Sequence, residues 1–254
     1  MKLGVSYNAF SGLELLEASI RSIRDVVDHV NVCYQIVSNT GIANNDILDY
    51  LLSLPDGLIN SLTQAYPKKG LTPKQNETDK RNLGLMVCKS AGCTHFMSMD
   101  VDEFYKADQL KLAKKIIERH DFDTTVCKMQ TYYKSASYKL DPPEEYFVPL
   151  IYKIDNRKFV NGMSWPVHAD PSRKMQSNKF FIFKRDQIEM HHMSYVRNNI
   201  REKLYNASSS VNYKDRIEEI AEYYDNWKYP QMAYLGGSKK RLVNVVKCDT
   251  VFGV

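Results

Sequence analysis

The stretch "GCTHFMSMDVDEFY", residues 92–105, runs an apolar string into three carboxylates within four positions, Asp100, Asp102 and Glu103. Successive residues of a strand alternate faces, so Asp100 and Asp102 point the same way if the extended backbone persists through Val101. Two carboxylates so spaced can share one hard dication. Magnesium and manganese favour oxygen ligands and recruit substrate phosphates to complete an octahedron. The plainer alternative is an acidic strand-to-loop turn. Against it stands the desolvation cost of delivering unpaired carboxylates to the edge of a buried strand.

The elements that must position this cluster can be read from pattern. "KLGVSY" and "VNVCYQIV" have strand character, with "LELLEASIRSIRDVV" between them as an amphipathic helix carrying Leu13, Leu16, Ile20, Ile23 and Val27 on one stripe. "NDILDYLLSL" is a helix stopped by Pro55 and Gly57, and "GLIN" a short third strand. The next helix is strongly punctuated, with Thr72 as N-cap, Pro73 as first helical residue, Gln75 closing a capping box and Gly92 ending it. "CTHFMSM" then has the length and continuous apolarity of a strand covered on both faces. Its carboxyl end, at Asp100, is where open α/β sheets bind ligands. Beyond residue 121, "TTVCKMQTYY", "YFVPLIYKI" and "KFFIFKR" are strand-like without intervening helices, which predicts an antiparallel extension, and "HHMSYVRNNIREKLYN" starts a late helical region.

Composition sets the outer limits. The 254 residues, 43% apolar, suit one sizeable core, and no apolar run approaches the ~20 residues of a membrane span. "MKLGVSYNAF" turns polar before a signal-peptide core can form. The five cysteines are scattered without a CxxC pair, which suggests neither a disulfide framework nor a thiolate zinc site, and points to a reducing cytoplasm. Of the net charge of +5, four units lie after residue 225, where Lys228, Lys239, Lys240, Arg241 and Lys247 face Asp249 alone. That distribution fits a solvated basic end or a polyanionic partner.

Residues 80–105, "KRNLGLMVCKSAGCTHFMSMDVDEFY", resemble the core of GT-A-fold glycosyltransferases of the family 2 type: Arg-Asn-x-Gly-Leu, a helix, and a strand ending in DxD-E. "VSYNAFSGLELLEASIRSIRDVVDHVNVCYQIVSNTG" is similar to the opening strand, helix and second strand of that group. Together these cover roughly the first 105 residues. The resemblance implies an α/β GT-A fold, Rossmann-like, with a mostly parallel sheet, helices on both faces, a smaller antiparallel extension and a helical C-terminal region. The pattern of elements along the chain reads as one domain over 1–254, with a nucleotide-sugar-binding half (1–105) by the resemblance and an acceptor-side half (106–254) with a basic C-terminal lid. The implied activity is sugar transfer from a nucleotide-sugar, a UDP-sugar foremost, with Mn2+ or Mg2+ between the carboxylates and the diphosphate.

"HMSYVR", residues 192–197, resembles the His-x-Gly-Trp-Val-Arg element that supplies a third metal ligand in some family 2 enzymes, with Ser194 and Tyr195 replacing Gly and Trp. By that likeness the metal ligands are Asp100, Asp102 and His192, with His191 as the control, and Asp100 also lies on the ribose side. Arg197 can fork onto the diphosphate. Tyr7 and Asn8, closing the first strand, and Gln35 and Ser38, closing the second, are placed to contact base and ribose, although each also suits a turn. Arg81 faces the donor in the family pattern. For an acceptor-side base, Asp170 in "HADPSR" is preferred over Glu144 and Glu145, with a turn-forming role before Pro171 as the alternative. Trp165, Tyr132 and Tyr133 are candidates for stacking, or core. Gly236 and Gly237 before "SKKR" suggest a hinged basic lid at the C-terminus.

Other identities fit parts of the pattern. A nucleotidyltransferase uses a similar sheet and carboxylate pair but usually carries a basic Gly-rich loop after its first strand, which "NAFSGLELLE" lacks. A nucleic-acid or saccharide-binding module could use the basic tail and tyrosines without chemistry. The acceptor of a transferase is left open, a glycan and a hydroxymethylated DNA base both being compatible.

Overall fold

The computed structural model describes residues 1–254 and opens as β1 (Leu3–Ala9), α1 (Leu16–Ile23), β2 (His29–Tyr34), α2 (Ile47–Ser53), β3 (Ser61–Gln64), α3 (Pro73–Ser90) and β4 (His95–Asp100). It continues through β5 (Glu103–Phe104), α4 (Ala107–His120), β6 (Thr124–Tyr133), β7 (Ser135–Asp141), β8 (Phe147–Lys153), β9 (Phe180–Ile182) and β10 (Glu189–Tyr195). α5 (Ile200–Asn206), α6 (Ile217–Asn226), β11 (Ala233–Leu235) and β12 (Arg241–Lys247) complete it. One sheet serves both halves, in the order β11-β12-β7-β6-β8-β4-β1-β2-β3. β4, β1, β2 and β3 are mutually parallel; β8 joins β4 antiparallel, and β6, β7 and β12 extend the sheet in that sense. The expected α/β architecture, a parallel front with an antiparallel extension, is therefore present.

Alternation along β1 assigns its two faces. Leu3, Val5, Tyr7 and Ala9 enter the main core with Leu16 and Ile20 of α1 and Leu110 of α4. Gly4, Ser6 and Asn8 lie on the opposite face, and Gly4 and Ser6 meet α3. A Cβ on Gly84 would sit 2.2 Å from Ser6 Oγ, so only glycine lets α3 pack this closely on β1. The capping box is formed as expected: Thr72 Oγ1 accepts from Gln75 N at 3.3 Å, and Thr72 N donates to Gln75 Oε1 at 2.9 Å. α3 is thereby fixed in length and register over the sheet edge.

Three local expectations are corrected. The first helix starts later, because Leu13–Leu15 form a 3-10 turn behind Gly12. The third strand is Ser61–Gln64 rather than "GLIN", since Gly57 at φ +76° turns the chain and Asn60 Oδ1 accepts from Val30 N before pairing begins. His192 lies on a strand, β10, which pairs with β6 and β5. The basic C-terminal segment, expected as a hinged lid, forms the β11/β12 hairpin on the sheet edge, with Lys240 paired to Glu219 and Arg241 to Glu144. No helix is long and apolar enough to cross a membrane.

Burial of His95, which opens β4, makes stability depend on acid. Its ring is 9% exposed, with Nδ1 3.0 Å from Thr94 Oγ1. Burial, aided by the N-terminal ammonium and Lys153, lowers its pKa from 6.5 to about 4. Between those values the unfolded chain binds more protons, so this contribution is complete above pH 6.5 and is lost as pH falls towards 4. The urea midpoint should drop across that window, and His95→Gln should make the drop shallower; an unchanged slope would refute the assignment.

Candidate active site

A cleft of about 450 Å³ opens at the carboxyl ends of β1, β2 and β4. The register pairs Asn8 with Asp100, which brings the end of β1 beside the carboxylate cluster. Asn8, Gln35, Ser38, Asp100, Asp102, Asp170, His192 and Arg197 all line it. The backbone turns at Val101–Asp102 instead of staying extended, so the two aspartates reach the cleft through a turn rather than through strand alternation.

Asp100 accepts from Arg81 Nη2 at 3.2 Å and from Arg173 Nη2 at 2.6 Å. Burial acts to raise its carboxyl, but the two guanidiniums hold it well below the usual range. Arg173 also binds Glu103 through both terminal nitrogens, at 2.5 and 3.0 Å. Asp102, 4% exposed, is paired with Arg197 and lies 3.9 Å from Lys203 Nζ. Burial again pushes upward, and Arg197, His192 and Lys203 outweigh it, placing Asp102 at about 2. His192 Nε2 is 3.7 Å from Asp102 Oδ1, and burial keeps its imidazole below its ordinary value and so available as a neutral donor.

Of the three metal ligands expected from the sequence, Asp102 and His192 face each other and Asp100 does not join them. No three His, Cys, Asp or Glu side chains converge as a complete site, because Asp100 is turned onto Arg81 and Arg173. Asp102 and His192 alone face each other across 3.7 Å, a gap that two bonds of about 2.1 Å can span. Such a pair suits a hard dication that takes its remaining ligands from phosphate and water.

At the other end, the polarity of a side-chain relay is fixed from both termini. Lys80 Nζ, which can only donate, gives to Gln35 Oε1 at 2.7 Å; Gln35 Nε2 gives to Asn39 Oδ1 at 3.1 Å, and Asn39 Nδ2 to the Pro73 carbonyl at 3.4 Å. Asn8 Nδ2 donates to Asp100 Oδ1 at 3.3 Å, which leaves its buried Oδ1 without a partner beside the cleft. Ser38 is largely spent on its own turn, its Oγ accepting from Thr40 N and Ile42 N.

Several expected residues sit elsewhere. Tyr7 points to the opposite face, fully buried, with its hydroxyl 3.1 Å from Ser19 Oγ, so it cannot contact a base. Arg81 is also fully buried; it braces Asp100 and Ser98 from beneath instead of facing a ligand. Asp170 reaches the cleft but caps the turn at 171–173: Oδ1 accepts from Ser172 N at 2.9 Å, and Lys74, Arg81 and Arg173 surround it. Burial works against ionisation there, yet those cations lower the pKa, so Asp170 is a weak proton acceptor. Glu144 pairs with Arg241 and Glu145 with Lys128. Trp165 donates to the Met175 carbonyl at 2.8 Å, and Tyr132 and Tyr133 are core residues. His191 faces away from the cleft, Nδ1 2.8 Å from the Tyr132 hydroxyl, as alternation along β10 requires.

Arg173, Lys203, Lys80 and Lys74 escaped the sequence reading. Lys80, Arg173 and Lys203 lie within "KRNLGL", "HADPSR" and "NNIREKLYN", and Lys74 within the capping box, but at positions that no motif marks.

No family model matches the chain, and no curated protein matches it by sequence. Among solved structures it is similar to Staphylococcus aureus TarS: one with UDP-GlcNAc gives 20% identity over 52% of this chain and 35% of that one, TM-score 0.38. Another TarS structure gives 15% identity over 88% of this chain and 44% of that one, TM-score 0.48. A mannose-1-phosphate geranyltransferase from Thermus thermophilus gives 14% identity over 61% and 51%, TM-score 0.34. The chain thus spans between about a third and half of the length of these three proteins.

Proposed function

We propose that this chain is a glycosyltransferase that moves a sugar from a nucleotide-sugar, a UDP-sugar, to a hydroxyl acceptor. The observation that carries this is the union in one cleft of a fixed-polarity amide relay, a buried carboxylate facing an imidazole, and the cations Arg197 and Lys203. The relay and the unpartnered Asn8 Oδ1 suit a base and ribose, and the cations suit a diphosphate. In the transfer, the bond from the anomeric carbon to the diphosphate oxygen breaks with its electron pair going to that oxygen, the acceptor oxygen bonds to the carbon, and the acceptor proton passes to the departing diphosphate or to water. Arg197 and Lys203 stabilise the charge that builds on the departing diphosphate, the larger catalytic contribution. Mn2+ or Mg2+, held by Asp102 and His192, would supply further Lewis-acid stabilisation of that oxygen. At Glu103 burial outweighs the Arg173 guanidinium and leaves the carboxyl raised, to about 7, but Arg173 and the Asp100 amide occupy its oxygens, so it is not free to take the acceptor proton.

Thermal denaturation with uridine, UDP, UDP-sugars and the corresponding adenosine compounds, with and without manganese, tests the proposal. A ligand at 100 times its Kd stabilises by about 2.7 kcal/mol. UDP and a UDP-sugar should stabilise the chain, more so with manganese, and uridine much less. Indifference to every nucleotide would end the proposal, as would salt-steep oligonucleotide binding without sugar consumption.

A further inference from the structure

Gly12 follows β1 and has a backbone φ of +72°, a conformation that already favours glycine. Its second property concerns space. A Cβ at this position would lie 1.3 Å from Arg197 Nη1 and 2.5 Å from Arg197 Cζ, so the guanidinium occupies the volume that any other side chain would need. The rest of Arg197 is tethered from elsewhere. Nη2 binds Asp102, Nε donates to the Ser194 carbonyl at 3.4 Å, and the Tyr224 hydroxyl holds the backbone N and O of Arg197 at 3.4 and 3.2 Å. Nη1 is buried and has no hydrogen-bond partner, and it occupies the space that a Cβ at residue 12 would need.

We propose that Gly12 is the seat of Arg197: a positioning residue whose missing side chain leaves room for the guanidinium between the loop after β1 and Asp102. The functional consequence rests on the transferase proposal, because it is the diphosphate that would feel a displaced guanidinium. A requirement for positive φ alone acts whatever residue stands at 197. A seat matters only while the guanidinium is there.

A double-mutant cycle separates the two. Gly12→Ala and Gly12→Asn are made in the wild type and in Arg197→Met, which retains the stem but lacks Cζ and Nη1. Asn adopts positive φ more readily than Ala yet carries the same Cβ, so it keeps the collision if the Ala variant folds poorly. With UDP and manganese as the probe, both substitutions should weaken binding roughly 10–100-fold in the wild type. In Arg197→Met they should weaken it less than about two-fold, and uridine affinity should change little in either background. Equal losses in both backgrounds, or parallel losses of UDP and uridine, would overturn the proposal. Should the wild type bind no UDP at all, the transferase proposal fails on its own, and urea midpoints of the same variants decide: a Gly12 penalty that shrinks in Arg197→Met supports the seat, and an additive one refutes it.

Discussion

Asp102→Asn should remove sugar transfer and donor hydrolysis together, by roughly 10³-fold. The substitution is nearly isosteric, but it deletes the negative charge against which Arg197, Lys203 and His192 are arranged. Two consequences follow from one cause. Arg197, 5% exposed at its side chain, keeps a hydrogen-bond acceptor but loses its counter-charge, and truncating a partner of a buried pair typically costs about 3–5 kcal/mol. Any dication at Asp102 and His192 loses its only anionic protein ligand, so manganese should no longer enhance UDP binding. Initial rates and calorimetric titrations with and without chelator check both. Full transfer by the variant in excess chelator would exclude a metal-assisted mechanism centred on this residue.

Arg173→Met should have the largest effect on stability. This guanidinium is 3% exposed and lies among Asp100, Glu103 and Asp170, at 2.6, 2.5 and 3.8 Å. Methionine fills much of the volume but leaves Asp100 with Arg81 alone and Glu103 with no cation, against a desolvation cost that already raises Glu103. The expected loss is about 3–5 kcal/mol, read as a drop in urea midpoint at unchanged slope. Arg173→Lys should recover only part of it, because a single ammonium cannot reproduce the fork that spans two carboxylates. A midpoint within experimental error of the wild type would show that the cluster contributes nothing net to the fold.

These expectations depend on features of unequal visibility in the chain. The helix from Pro73 was legible to the residue at its start, since the capping box is a local exchange of hydrogen bonds between positions three apart. The long strand from Thr124 was legible because its length and apolarity leave few other ways to bury it. The boundaries around Leu13 and Ser61 were not, because glycines and an asparagine side chain shift them by competing for the same backbone groups.

Most of the residues named from strand ends line the cleft, whereas those whose role depends on a long-range contact lie elsewhere. Asn8, Gln35, Asp100 and His192 close or occupy strands whose order puts them at one edge. Tyr7 went wrong by a single residue, because one step along a strand exchanges the cleft for the core. Arg81 was placed on the correct helix, but whether an arginine meets solvent, ligand or a buried carboxylate depends on what lies beneath it, here Asp100 and Ser98 from a strand 17–19 residues away.

By itself, the sequence determined the alternation of elements, the helix caps and the arrival of acidic residues at the end of a buried strand, all of which are set by interactions within a few residues. Only the tertiary structure decided which cations neutralise those acids, that Arg173 and Lys203 are among them, and that Gly12 leaves room for Arg197. The reason is physical: charge compensation and steric room are properties of groups brought together across the chain, 70 residues apart for Arg173 and Glu103 and 95 for Arg197 and Asp102. Short-range periodicity carries no record of such distances.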